Sequence, residues 1–557
     1  MRESLVIILA ALVFDATIFT THCFALKGKQ EKADLSFEIR DSIDYSVNPI
    51  VKEDMVLFVE KGRLTFWRWN KKPIYFSEKV SSPAMAVEGD KVAVSWVEKR
   101  DGKAKIGLIL SQDRGENWAK VNESAPFDSV QLVKIAWFKG KVHILAEDIS
   151  KKSIAVGVLE NGSDVRWYPL DLTDTGSIAS PSLAVTVKGV FIFLGEKEKN
   201  RSAIACYLFD PGRDGVYEKF LVKEGVDVVS FVETDNQREL PEALVKYSRN
   251  QEIVLSLFYL DKEGFREVPL VTNEDVAFAH KVYPKDDSVL VVYSSEIPGK
   301  TKQRVFVYKA NLPEKMGTTA RLDNGFDNTF AWLPVAVHDG RNRVFVVWED
   351  SRLIRRGVFA TFSPDNGKTW QRRNILLSFR KNYSFRPTLS FYKDAFYVSW
   401  LQFSNDTFSD GQLVFAKILS PEKLFTKKNN ILDPEKTERL LVKRVNDYWK
   451  YMISRDFRKT YSFYDPFFRA RIKYENYAAK LGSIIYHKAQ VEGVEIKGPE
   501  ATVHIKVLYE VKDLIVGNQK FSSEKEERLL HDLWIFVDNE WHKKYINPLM
   551  EGSSIRY

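Results

Sequence analysis

Cysteine is almost missing from this sequence: two residues in 557, Cys23 and Cys206. That excludes a disulfide-stapled scaffold and a zinc centre built on several cysteines. Charge of one sign is not concentrated either. The 83 Lys and Arg against 75 Asp and Glu leave a formal net charge of +8, spread along the chain. No dense basic run interleaved with aromatics occurs, so no nucleic-acid partner is expected. Beyond the first residues no apolar run is long enough to cross a membrane. No metal and no cofactor is expected. Aromatics, by contrast, are plentiful: 37 Phe, 23 Tyr and 13 Trp, 13% of the chain. Flat rings suit pleated surfaces, so this is a β signal. With 44% hydrophobic residues the chain is not disordered. Its length calls for several domains, or one repeat array and something else.

The N-terminus reads as an export signal over residues 1–25. Leu5 to Phe14 is unbroken apolar sequence behind Arg2, and small residues follow with a cleavage point after Ala25. Glu3 and Asp15 weaken the pattern, and an uncleaved anchor is the alternative. Cleavage leaves Cys206 alone, unable to form an intramolecular disulfide. An exported protein without disulfides fits a bacterial envelope, periplasmic or extracellular.

Two octapeptides match each other. Ser111-Gln-Asp113-Arg-Gly115-Glu-Asn-Trp118 and Ser363-Pro-Asp365-Asn-Gly367-Lys-Thr-Trp370 both read S-x-D-x-G-x-x-W. The pattern describes a tight turn between strands. Asp accepts from turn amides, Gly takes positive φ, and Trp plugs the gap between neighbouring strands. Apolar strands ending in polar clusters precede both, Val92–Arg100 and Val344–Arg352, and recur elsewhere. Prolines at 49, 83, 181, 334 and 387 precede apolar strands. Proline has no donor to lose, so each is expected as a strand's first residue. From Pro83 onward their spacings are multiples of about 50 residues, the period of a β-propeller with four short strands per unit. The fold expected is mainly β: seven or eight blades over residues 34–430. The last unit lacks an outer strand after Leu413–Ile418, and Leu35–Ile39 is expected to complete it.

The octapeptides resemble the Asp boxes, or BNR repeats, of the sialidase superfamily. In that superfamily the box is a structural turn on the face away from the active site, so the resemblance implies fold rather than reaction. Sialidases use an arginine triad, a Tyr nucleophile activated by Glu, and an Asp acid/base. Their first arginine lies in Phe-Arg-Ile-Pro. Here Phe385-Arg386-Pro387 lacks the Ile and sits in the last unit, while the opening unit has Val47-Asn48-Pro49.

In an up-and-down blade the end of the second strand and the start of the first share one face. Glu98, Glu147, Asp148, Glu196, Glu296, Glu349 and Asp350 are therefore expected around one mouth of the channel. Glu349 and Asp350 are the candidate proton-transfer pair. Arg352, Arg386, Glu98 and Arg100 are the candidate binding groups, with Trp96, Trp348 and Trp400 below them as core.

From Asp433 the pattern becomes helical: Leu441, Val445, Tyr448, Trp449 and Met452 recur at helical spacing. A second helix follows Asp456, and strands are expected over 488–496, 501–511 and 532–537, with a hairpin at 538–541. Residues 431–557 resemble the cone fold of the nuclear-transport-factor-like superfamily, a small α+β domain. The resemblance implies a ligand pocket, a dimer contact or an accessory module. His487, His504, His531 and His542 are too scattered to suggest a metal. Ser420-Pro-Glu-Lys and Lys427-Lys-Asn-Asn read as a short polar connection. The functional expectation is an exported propeller that binds a glycan or an envelope protein, without sialidase activity. The alternative is a glycoside hydrolase acting on an anionic sugar.

Overall fold

The structure is a computed structural model. It describes residues 34–544, apart from short interior stretches of which the longer are 122–126, 149–152, 160–163, 171–176, 235–239, 297–302, 312–316, 405–410 and 427–436. The expected export signal lies outside the described residues, as do the Asp433-Pro434 helix start and the junction at 430. No helix among the described residues is long and apolar enough to cross a membrane.

The chain from 35 to 418 is a β-propeller. Among the described residues, eight four-stranded antiparallel sheets follow one another along it, each a meander of neighbouring strands. They occupy residues 50–78, 80–120, 132–169, 177–224, 227–272, 278–321, 331–376 and 383–418. The first strand of each sheet lies beside the first strand of the next, and the eighth returns to the first. The eighth sheet has three strands of its own. Leu35–Asp41 supplies the fourth, pairing antiparallel with Gly411–Ile418 from Leu35↔Ile418 to Asp41↔Gln412. As expected, the chain closes its own ring and leaves no edge there.

The core is a ring of apolar layers, each shared by two adjacent sheets. Met55, Leu57 and Phe66 of the first sheet meet Met85, Val92 and Trp96 of the second. Phe345, Val347 and Phe362 of the seventh meet Phe396, Val398 and Trp400 of the eighth. Strands covered on both faces read as continuous apolar runs, as in Met55–Glu60 and Ala395–Phe403, where every residue is buried. Residues 226–326, poor in sequence markers, form two ordinary sheets held by the same kind of layer.

The two octapeptides fold as one and the same turn. Ser111 Oγ accepts from the amide of Gly115 at 2.7 Å, and Asp113 Oδ1 accepts from that of Asn117 at 2.8 Å. In the second, Ser363 Oγ accepts from Gly367 at 2.8 Å and Asp365 Oδ1 from Thr369 at 2.8 Å. Gly115 and Gly367 have φ of +85° and +76°. A Cβ on Gly115 would stand 2.4 Å from the Phe66 ring, so conformation and space both demand glycine. Trp118 packs edge-on to Phe66 and Phe76 of the preceding sheet. Trp370 lies against the apolar layer between the sixth and seventh sheets.

The prolines correct one expectation. Only Pro49 stands just before its strand. Pro83, Pro181, Pro334 and Pro387 lie inside strands Val80–Glu88, Ser177–Thr186, Ala331–His338 and Tyr383–Tyr392. The ladder skips across each of them, between Ser81/Ala84, Ala179/Ser182, Trp332/Val335 and Phe385/Thr388. A bulge needs no ladder donor, so proline is tolerated in mid-strand.

After the ring comes helix Pro421–Thr426, where a polar connection was expected; Leu424 and Phe425 pack on the layer between the seventh and eighth sheets. The C-terminal unit is α+β. Helix Glu438–Ile453 buries Leu441, Val445, Tyr448, Trp449 and Met452, the residues its periodicity singled out. Asp456 caps helix Phe457–Phe463, accepting from the Lys459 amide at 3.1 Å. A further short helix, Tyr474–Ala478, precedes a ninth antiparallel sheet of Ile484–Lys497, Glu500–Val516, Gln519–Val537 and Glu540–Lys543. The third of these strands outruns the expected one because residues 519–531 are mostly polar and carry little apolar signal. The helices cover one face, whose core includes Val503, Ile505, Val507, Trp534 and Trp541.

Candidate functional site

The bulges set the geometry of one mouth of the ring. The residue before each bulge proline sits in the left-handed region: Ser82 at φ 46°, Ser180 at 49°, Leu333 at 51° and Arg386 at 53°. None is glycine, and such backbone costs about 1–3 kcal/mol per residue. Two of these strained positions, Leu333 and Arg386, lie on adjacent innermost strands.

Between them sits Glu349, at the end of Val344–Asp350. It is 1% exposed. Its Oε1 accepts from the Arg386 amide at 2.6 Å, an N–H the bulge has taken from the ladder. Its Oε2 accepts from Trp332 Nε1 at 2.7 Å, and the Arg356 guanidinium stands 3.6 Å away. Burial pushes the Glu349 carboxyl up, against the opposing pull of the Arg386 amide, Trp332 and the two arginines. Arg356 lies over two rings, 4.8 Å from the centroid of Trp332 and 5.3 Å from that of Phe385. Phe330 and Phe278 extend the aromatic surface, at 5.6 and 6.3 Å from Trp332. Phe278 is 41% exposed. Phe278, Trp332 and Phe385 stand at the starts of the innermost strands of three consecutive sheets, so this wall faces the ring opening.

Asp350 goes the other way. Consecutive residues on a strand face opposite sides of the sheet. Its Oδ2 accepts from Arg352 Nη2 at 2.5 Å and Trp348 Nε1 at 3.1 Å; its Oδ1 accepts from the Arg352 amide at 2.8 Å. Arg352 also bonds Asn374 at 3.1 Å and pairs with Asn324. Beside it, fully buried Arg304 bonds Asp323 at 2.5 Å and Thr329. Burial works to raise the Asp350 carboxyl, but Arg352 and Arg304 outweigh it and hold the group below its usual range. This is a closed network between the sixth and seventh sheets. The expected pair Glu349 and Asp350 is thus divided, and Arg352 belongs with Asp350, away from Arg386.

The other expected residues scatter. Glu147 lies beside Lys134. Asp148 is buried and accepts from the Ser129 amide at 3.3 Å. Glu196 is held by Tyr207 and, at 2.8 Å, by Lys219. Glu98 and Glu296 are half-buried strand ends of the second and sixth sheets. The Arg100 side chain lies outside the described residues. Trp96, Trp348 and Trp400 are core. The boxes lie at the opposite end: the Arg114 amide donates to Asp90 O and that of Asn366 to Asn342 O, tying each box to the first hairpin turn of its sheet. In the C-terminal unit Asp456 is a helix cap, and the Tyr461 hydroxyl donates to Ile472 O at 2.6 Å, so both serve packing. Among the described residues, no group of three or more metal-ligating side chains is gathered.

Sequence reasoning missed Trp332, Arg356, Phe330 and Phe278. Trp332 and Phe385 each stand two residues before a bulge proline, so the proline series marked these positions without naming their side chains. Nothing local singles out Arg356.

No protein-family model matches the sequence, and no curated protein does. Solved structures with similar folds include the polysaccharide lyase Uly1, at TM-score 0.41 and 8% identity over 64% of this chain and 93% of that one. YCF48 bound to D1 peptide aligns at TM-score 0.37 and 10% identity, covering 69% and 95%. The Hadza microbial sialidase Hz136 aligns at 0.32 and 13%, covering 64% and 73%.

Proposed function

We propose that this chain is an exported, sialidase-like, eight-bladed propeller that binds a glycan from the mouth formed by its last three blades. The C-terminal unit is read as a nuclear-transport-factor-like cone that serves as an accessory or dimerising module. One observation carries the reading: Arg356 held over Trp332 and Phe385 at 4.8 and 5.3 Å, with Phe278 exposed beside them. Aromatic faces stack on pyranose rings, and the Arg356 and Arg386 guanidiniums suit a sugar bearing carboxylate or sulfate. The preferred ligand is an anionic glycan; a protein of the envelope is the other partner class. Glu349 supports the wall by taking the Arg386 amide and the Trp332 indole.

The hydrolase reading keeps one argument, a buried carboxyl whose proton is retained above the ordinary range, as a general acid requires. Its second carboxylate, Asp350, is committed to Arg352 on the far side of the strand, so binding without turnover is preferred. The test is binding of sialylated, uronic and sulfated oligosaccharides to the full chain, with Trp332→Ala and Arg356→Ala. Each change is expected to weaken binding at least tenfold. Unchanged binding in both removes the site. Turnover of fluorogenic glycosides that disappears in Glu349→Gln replaces binding by hydrolysis.

A further inference from the structure

Two histidines that lie 27 positions apart in sequence meet in the C-terminal sheet. His504 on Glu500–Val516 is in direct register with His531 on Gln519–Val537. Their Nδ1 atoms are 2.7 Å apart, and the ring planes stand at 86° with centroids 4.8 Å apart. Neighbouring Val503 and Ile505 are buried under the helices, so His504 faces the opposite, open side of the sheet. His531 is exposed. These rings are surface groups whose nitrogens converge, rather than core histidines filling space.

We propose that this pair binds a divalent transition-metal ion, copper(II) or nickel(II). At 2.7 Å the two Nδ1 atoms face each other closely enough to share a proton, and one ion can take its place between them. In the free protein one ring donates its Nδ1–H to the other; when a metal ion binds, that ring's proton passes through solvent to its own Nε2, so that both neutral rings offer an Nδ1 lone pair. The spacing selects the geometry. At metal–nitrogen lengths of about 2.0–2.1 Å, two ligands at a right angle are about 2.9 Å apart, and at the tetrahedral angle about 3.4 Å. A separation of 2.7 Å is nearer the right-angled value. Adjacent corners of a tetragonal complex fit copper(II) and nickel(II) rather than tetrahedral zinc. Glu495 adds to the case. Its Oε1 lies 3.5 Å from His504 Nε2, the far nitrogen, where a carboxylate orients a ligating imidazole and strengthens it as a donor. Water fills the remaining positions. Both rings are reachable, since the His504 side chain is 28% exposed and His531 is exposed as well.

The experiment is calorimetric titration of the metal-free full chain with copper(II), nickel(II) and zinc(II) at one pH, beside electron paramagnetic resonance of the copper form. One copper per chain is expected at this site, with nitrogen couplings from two imidazoles, and nickel binding at least as tightly as zinc. His504→Gln and His531→Gln each weaken copper at least tenfold, and Glu495→Gln by a smaller factor. All three keep the wild-type unfolding midpoint, because the side chains are at the surface. Copper affinity equal to wild type in both histidine variants overturns the site. Zinc binding tighter than nickel overturns the tetragonal assignment.

Discussion

Glu349 and Asp350 are adjacent in sequence and belong to two different kinds of structure. On one side of the strand, Asp350 joins Arg352, Arg304 and Asp323 in a buried network whose charges neutralise one another. On the other, Glu349 stands under an open wall of Trp332, Phe385 and a half-exposed Arg356. The first is closed: Asp350 and Asp323 accept from Arg352, Arg304 and Trp348 inside the protein. The second has spare capacity, with an aromatic surface and a guanidinium offered outward. Charge inside a propeller is therefore no guide to function until its partners are known.

The widest separation between the two sides is in stability. Asp323→Ala leaves Arg304 buried without its carboxylate, and removing one partner of a buried pair costs about 3–5 kcal/mol. Urea unfolding of the variant is expected to show that loss; a loss under 1 kcal/mol would mean that Arg304 is not closed off. Next comes the shared scaffold. Gly115→Ala combines φ of +85° with a Cβ 2.4 Å from Phe66, and is expected to cost about 1–3 kcal/mol. The thermal midpoint falls, while ligand binding at the opposite end is retained.

The pH dependences of the two carboxylates have opposite signs. Asp350 titrates lower in the folded chain than unfolded, so its stabilisation is present above the usual value of 3.8 and is lost as pH falls through the folded value. Glu349 titrates higher when folded. Its contribution is complete below the usual 4.5 and is lost as pH rises through the folded value. In urea unfolding at a series of pH values, Asp350→Asn is expected to lose the first dependence and Glu349→Gln the second. Matching slopes in the two variants would erase the distinction drawn between the two sides. The smallest stability effect belongs to Arg356→Ala. Its side chain is 45% exposed, so the midpoint moves by no more than about 0.5 kcal/mol. Its effect is expected in ligand binding, and a large stability loss with unchanged binding would make Arg356 a structural residue.

Much of the scaffold was legible because it is written locally. A Ser, an Asp, a Gly and a Trp within eight residues specify the box turn without help from distant sequence. The period of the prolines announced the repeat, although their place inside bulges was hidden, since a bulge is a relation between two strands. The helical spacing of Leu441 to Met452 announced the long helix. The site was legible only in fragments. Glu349 and Arg386 were named, but they were grouped with Asp350 and Arg352, which the pleat sends to the other face. Trp332 and Arg356 carried no local mark. His504 and His531 were set aside as scattered, and strand register brings their nitrogens to 2.7 Å.

The sequence by itself determined what depends on neighbours along the chain: turns, strand and helix periodicity, and a repeat that has to close on itself. The tertiary structure alone decided what depends on neighbours across strands. It chose which carboxylate paired with Arg352 and which took the Arg386 backbone amide, which rings faced the opening, and which histidines met. The physical reason is that hydrogen bonds and burial act over a few ångströms of space, whatever number of residues separates the groups.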